Sequence, residues 1–271
     1  MTIPLEDYYE DILGKAQRGL GLTDKQVCNR AEIEGDAWKR ALKGEFEESV
    51  ARAVAPVLGL GADALVTCGK REWVPTPVTL AGLLQCNTPF DDMTVNAYVV
   101  WNPRTRDAAI FDSGADARPL IDTVRSGKLN VRHILLTHSH PDHVADLQRL
   151  REAFPKAPIA IHGNETVTGA DPFDEGDVFE ADGLRITAHL TPGHSPGGTT
   201  FVIDGLERPV AVVGDALFAG SMGGAPSAWK SALTATREKI LGLPGETVLC
   251  PGHGPLTTVA EELEHNPFFA E

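Results

Sequence analysis

His138-Ser139-His140-Pro141-Asp142-His143 places four potential metal ligands in six consecutive positions, directly behind the apolar run Ile134-Leu135-Leu136. An apolar run of this length reads as a buried strand, so the cluster lies where a strand gives way to a loop. Several imidazoles and a carboxylate crowded into one pocket need partners to offset their desolvation, and a cation supplies them all at once. The chain must therefore fold so that a sheet edge holds this cluster rigidly.

Three further candidates repeat the arrangement. His194 lies in Thr191-Pro192-Gly193-His194-Ser195-Pro196-Gly197-Gly198, after the apolar stretch Leu184 to Leu190. Asp215 closes Val210-Ala211-Val212-Val213-Gly214-Asp215, and His253 closes Val248-Leu249-Cys250-Pro251-Gly252-His253. Each follows a short apolar strand and opens a Gly-bearing loop, so one sheet edge can present them together. Strands are expected at Val95 to Trp101, Ala108 to Phe111, His133 to Thr137, Ile159 to His162, Leu184 to Leu190, Thr199 to Ile203, Val210 to Gly214 and Thr247 to Cys250. Helices are expected at Leu120 to Ser126, Val144 to Phe154 and Trp229 to Leu241. Periodicity alone gives an α/β or α+β class.

With these residues in place, the chain resembles the metallo-β-lactamase superfamily of hydrolases over about residues 75–271. The resemblance implies an αββα sandwich. It also implies that His138, His140 and His194 hold one metal ion, that Asp142, His143 and His253 hold a second, and that Asp215 bridges them with a hydroxide. Asp142 and Asp215 are then the catalytic carboxylates. Asp112, in Ile110-Phe111-Asp112-Ser113-Gly114, matches a position that buttresses the ligand loop. Within the superfamily, Gly214 to Ser221, Pro251 to Pro255 and His265-Asn266-Pro267-Phe268-Phe269 look glyoxalase-II-like. That likeness implies hydrolysis of a thioester, ester or lactone, with His265 as a further substrate or supporting contact. Imidazole and carboxylate ligands suit zinc, while iron and manganese accept the same set. A mononuclear iron persulfide dioxygenase, using a set that matches His138, His194 and Asp215, is the alternative enzyme. A metal- or ligand-sensing DNA-binding regulator is the alternative outside catalysis.

The N-terminal part is different in kind. Residues 1–70 are read as a small all-α domain, and residues 71–271 as the catalytic domain. Helices are expected over Leu5 to Arg18, from the capping box Thr23-Asp24-Lys25-Gln26 to Ala31, over Ala37 to Lys43, and over Glu47 to Leu58. The arrangement resembles a Cro/repressor-type helix-turn-helix, with Lys39, Arg40 and Lys43 on the would-be recognition helix. Residues 1–66, however, hold eight Lys/Arg against twelve Asp/Glu. That balance lacks the basic footprint of nucleic-acid binding. A packing or homo-oligomer-forming role is expected instead.

Composition sets the remaining bounds. A net charge of −14 over 271 residues argues against broad nucleic-acid or anionic-membrane partners and leaves a small-molecule substrate. The acidic start (Glu6, Asp7, Glu10, Asp11) lacks a signal-peptide pattern. Cys28, Cys68, Cys86 and Cys250 form no Cys-x-x-Cys, so reduced thiols and a cytoplasmic setting are expected. His133, His162 and His189 read as structural residues of strands, and Cys250 as buried behind the site.

Overall fold

The protein is described by a computed structural model over residues 3–270. Five helices come first: α1 (Tyr9–Gly19), α2 (Asp24–Ala31), α3 (Gly35–Ala41), α4 (Glu48–Leu58) and α5 (Ala62–Lys70). The first sheet is built from β1 (Leu83–Phe90), β2 (Met93–Trp101), β3 (Asp107–Phe111), β4 (Asn130–Leu136), β5 (Ile159–His162) and β6 (Asp171–Phe173). Within it lie α6 (Arg118–Gly127), α7 (Pro141–Val144) and α8 (Leu147–Ala153). The second sheet takes β7 (Val178–Ala181), β8 (Leu184–Leu190), β9 (Thr199–Asp204), β10 (Val210–Gly214), β11 (Val248–Pro251) and β12 (Thr257–Thr258). Helices α9 (Trp229–Lys239) and α10 (Val259–His265) complete it.

In the first sheet the strands lie in sequence order, antiparallel from β1 to β3 and parallel from β3 to β6. The second runs β12-β11-β10-β9-β8-β7, with β10 and β11 its parallel pair. Parallel strands deliver their C-terminal ends to one edge. Thus β4 ends just before His138, β10 just before Asp215, and β11 two residues before His253.

Three apolar layers hold the architecture together. Between the sheets pack Tyr98, Phe111, Leu135, Ile186, Phe201, Val212 and Cys250. On the outer face of the first sheet, Ile110, Ile134 and Leu136 meet Leu120 and Val124 of α6 and Leu150 of α8. The outer face of the second sheet, through Ala211, Val213 and Leu249, shares one cluster with Ile12, Leu13, Trp38, Val54, Leu58, Trp229 and Phe268. The N-terminal helices and α9 therefore share one apolar cluster with that face, giving a helix–sheet–sheet–helix order. The Gly61 amide donates to the Pro267 carbonyl at 2.7 Å, tying α5 to the C-terminal segment.

Differences from the sequence reading have local causes. β1 and β6 are edge strands carrying Pro89 and Pro172, so neither shows an apolar run. The helix expected from Val144 to Phe154 is instead α7 and α8. Asp146 breaks it, accepting the Ala117 amide at 2.9 Å while its own amide donates to Ser113 Oγ at 3.1 Å. α1 starts at Tyr9 rather than Leu5, after an irregular stretch Ile3–Tyr8. α5 and α10 are additions to the expected set. Among the described residues no helix is long and apolar enough to cross a membrane.

A shared core makes a test. Leu13 is fully buried in the cluster that joins the helices to the second sheet. Leu13→Ala should cost about 2–5 kcal/mol and destabilise the whole chain. In urea, tryptophan fluorescence and far-UV circular dichroism should shift together in one transition. A separate early transition confined to the helices would contradict the shared core.

Candidate metal centre

The four loop starts converge. His138, His140 and His194 form one group of potential ligands, His138, His143 and Asp215 a second, and Asp142, His143 and His253 a third, with the ligand atoms of each group within 4.8 Å of one another. The His140 Nδ1 atom lies 3.0 Å from His138 Nε2 and 2.9 Å from His194 Nε2. On the other side, Asp142 Oδ2 is 3.4 Å from His143 Nε2 and 3.3 Å from His253 Nε2.

Asp215 stands between the groups. Its Oδ2 is 3.3 Å from His194 Nε2, 3.4 Å from His253 Nε2 and 3.9 Å from His138 Nε2, and its Oδ1 is 3.4 Å from His143 Nε2. All seven residues singled out in the sequence as ligands are thus in one place. A methyl group at Gly252 would overlap Asp215 Oδ1, so the backbone before His253 must be glycine for the carboxylate to sit there.

The imidazoles are oriented from behind. His143 Nδ1 donates to Asp112 Oδ2 at 2.9 Å. Thr137 donates to the same carboxylate from its amide at 2.8 Å and its hydroxyl at 2.7 Å. With its proton so committed, the Thr137 oxygen accepts from His138 Nδ1 at 3.0 Å. His253 Nδ1 donates to the Thr94 carbonyl at 2.7 Å, and His194 Nδ1 to the Gly224 carbonyl at 3.2 Å. Each bond fixes the tautomer that turns an unprotonated Nε2 towards the centre. Asp112 holds its place with φ at 58°, a strained left-handed conformation at the end of β3.

The donor set fits a divalent cation. Among the described residues, His143 Nε2 and Asp215 Oδ1 are buried without a hydrogen-bond partner. Such orphans in a cluster of imidazoles and carboxylates are the ligand positions a cation satisfies. Without a cation the charges settle otherwise. Burial opposes a charge on His143, but Asp215 and Asp112 override it and hold its pKa up to about 10. His253 is likewise raised to about 11, burial being outweighed by hydrogen bonds to Asp142 and Asp215. Burial and the neighbouring imidazoles press His138 down to about 2, and burial also lowers His194.

Some contributors carry no sequence signal. Glu165 accepts from Ser139 Oγ and, at 2.8 Å, from the Gly197 amide, clasping the His138 loop to the His194 loop. Thr137 and Thr94, which support His138 and His253, carry no such signal either. The closing motif has a different task from ligand contact. Asn266 donates to the Ser221 carbonyl at 2.8 Å, and the buried Glu262 accepts from the Gly220 amide at 3.0 Å, so both fasten the loop after Asp215. His265 stacks on Trp73 at 4.8 Å, lies outside the ligand groups, and lines a cavity of about 250 Å³ with Tyr8, Cys68 and Arg71. His133 bonds to the Glu180 carbonyl at 3.0 Å, and His162 accepts the Asn164 amide at 3.1 Å.

This geometry is that of a metallohydrolase. The metallo-beta-lactamase superfamily model matches residues 90–253, and the chain belongs to that superfamily. It is 29% identical to the hydroxyacylglutathione hydrolase GloC of Haemophilus influenzae over 200 residues, which cover 64% of this chain and 92% of GloC. The crystal structure of the B3 metallo-beta-lactamase BLEG-1 is 30% identical with a TM-score of 0.59, covering 69% of this chain and 100% of BLEG-1. The protein TTHA1623, solved in a di-iron-bound form, is 27% identical with a TM-score of 0.53, covering 72% of this chain and 100% of its own.

Cation uptake must displace the protons that His143 and His253 carry near neutrality. Binding should therefore release protons, and affinity for Zn²⁺ should rise with pH. Calorimetry in buffers of different ionisation enthalpy checks this. Buffer-independent heats at neutral pH would contradict it.

Proposed function

We propose that the protein is a two-metal hydrolase in which His138, His140 and His194 hold one divalent ion, Asp142, His143 and His253 hold the other, and Asp215 bridges them. The observation that carries the reading is Asp215, with Oδ2 at 3.3 Å from His194 of one group and 3.4 Å from His253 of the other. When bound, two such ions lower the pKa of a shared water towards neutrality and polarise a carbonyl oxygen. Zinc suits these ligands, and iron serves as well in principle, TTHA1623 being described with two irons.

The chain's own residues do the positioning. Asp142 directs Oδ2 at the imidazoles of His143 and His253, and its other carboxylate oxygen is available to orient the attacking water or take its proton. Asp112 and Thr137 keep His143 and His138 in register, so the ligand geometry is set before substrate arrives. Assembly of Asp142, His143 and His253 as a second group favours this reading over a mononuclear dioxygenase that needs only His138, His194 and Asp215.

We take the substrate class to be a small thioester, with esters and lactones behind it and β-lactams last. A thiol leaves with a pKa of about 8.5 and needs little protonation, unlike an alkoxide or an amine. Similarity to GloC, named a hydroxyacylglutathione hydrolase, supports this order. Helix α3, the would-be recognition helix, is a poor match for nucleic acid, because Lys39 pairs with Asp36, and Arg40 faces Glu45 and Glu47.

Metal analysis with a substrate panel tests the proposal. The replete enzyme should hold about two ions per chain and cleave thioesters faster than lactones and β-lactams. Asp215→Ala should lose both occupancy and activity, the latter by roughly 100-fold or more. One ion per chain that excess metal cannot raise, or rapid lactone cleavage with every thioester untouched, would contradict the corresponding half.

A further inference from the structure

A cavity of about 250 Å³ lies where the N-terminal segment, α5 and the loop after Asp215 meet. The buried Ala219–Gly220 stretch forms its floor, Leu5, Tyr8, Cys68, Trp73 and His265 stand in its walls, and the exposed Arg71 is at its rim. Among the described residues, none of the seven metal-ligand candidates lines it. Nine of its twelve lining residues, from Pro4 to Val74, precede residue 90, where the family match begins.

Flat groups shape this space. Trp73 stacks on His265 with ring centroids 4.8 Å apart and planes inclined by 29°. A Cβ at Gly220 would lie 3.0 Å from Trp73 Cζ3, so the missing side chain lets the indole approach the loop backbone. Tyr8 supplies a second ring, with the Arg71 guanidinium carbon 4.8 Å from its centroid. An apolar cavity of about 150 Å³ suffices for benzene, so this one takes a single ring with a short side chain.

Charge decides what that side chain carries. Asp7 also lines the cavity, but its carboxylate is satisfied within the protein. It accepts from Ser221 Oγ at 2.6 Å and pairs with Lys15, which donates in turn to the Met222 carbonyl at 2.9 Å. Burial pushes the Cys68 thiol up to about 12, so it is a neutral part of the wall. Arg71 differs from both. Its guanidinium rests on the Tyr8 ring and, among the described residues, pairs with no carboxylate. Its fork of donors matches the two oxygens of a carboxylate, and its charge is permanent.

We propose that this cavity is a binding site for a small aromatic carboxylate, whose ring lies against Trp73 and Tyr8 and whose carboxylate is held by Arg71. Such a ligand bridges the helical unit and the loop that follows Asp215. The site takes no residue from the metal centre, so it stands apart from the two-ion reading.

Calorimetric titration of the full-length, Co²⁺-loaded protein tests this with phenylacetate, phenylacetamide and phenethylamine, which share a ring and differ in charge. Phenylacetate should bind saturably and at least about tenfold more tightly than the amide or the amine, without moving the cobalt d–d bands. Arg71→Gln should lose that preference while keeping the affinity for the amide, and Arg71→Lys should restore part of it. Trp73→Leu should weaken acid and amide alike, by roughly three- to tenfold. No binding of phenylacetate, equal binding of the amide or the amine, or an acid affinity that either Arg71→Gln or Trp73→Leu leaves unchanged would overturn the proposal. A shift of the d–d bands during the titration would overturn it too, by placing the acid on the metal.

Discussion

A carboxylate buried among imidazoles governs this structure. Asp215 is 7% exposed, with four histidines within 3.9 Å. Removing such a charge from water costs several kcal/mol unless opposite charge and hydrogen bonds surround it. Here the opposite charge must be mobile: protons on His143 and His253 without a cation, or a cation in their place. The surrounding apparatus restrains that demand. Asp112, Thr137 and Thr94 fix ring orientation, Glu165 joins two ligand loops, and Glu262 with Asn266 anchors the loop after Asp215.

The helical unit extends this scheme. The family match begins at residue 90, so α1 to α5 lie outside it. They are packed against the matched part all the same. Ile12, Leu13, Trp38 and Val54 are part of the cluster that covers Ala211, Val213 and Leu249. From α1 the Lys15–Asp7 pair grips Ser221 and Met222, and the segment ahead of it lies on Gly254. Two ligand-bearing loops, after β10 and β11, are thereby braced by residues from the opposite end of the chain. The helices bring a packing face and a pair of anchors, while acidic side chains outnumber basic ones in them, Lys39 pairing with Asp36 and Arg40 facing Glu45 and Glu47.

How much of this was legible in the sequence follows from the range of the interactions. His138, Asp215 and His253 were readable because each abuts its own apolar run, and strand ends at one sheet edge meet in space. The strands β5, β8 and β10 were readable for the same reason. Edge strands β1 and β6 were not, since Pro89 and Pro172 interrupt them and they lack a fully apolar face. Glu165 and Glu262 look like any surface acid in the sequence. Their positions depend on contacts with Ser139 and Gly220, which no local pattern encodes. In residues 1–70 the bounds of α2 and α4 are legible because caps and glycines are local, whereas the late start of α1 at Tyr9, the bounds of α3 and the whole of α5 are not. The packing of these helices on the second sheet is not legible either, because an amphipathic helix does not name its partner.

The central claim is that Asp215 joins two cation sites. Anomalous diffraction from crystals grown with Zn²⁺, recorded on both sides of the zinc edge, tests it most directly. The account predicts two zinc peaks about 3.5–4 Å apart on either side of the Asp215 carboxylate, one against His138, His140 and His194 and the other against Asp142, His143 and His253. A single peak at full occupancy, with Asp142 and His253 turned away from it, would contradict the account.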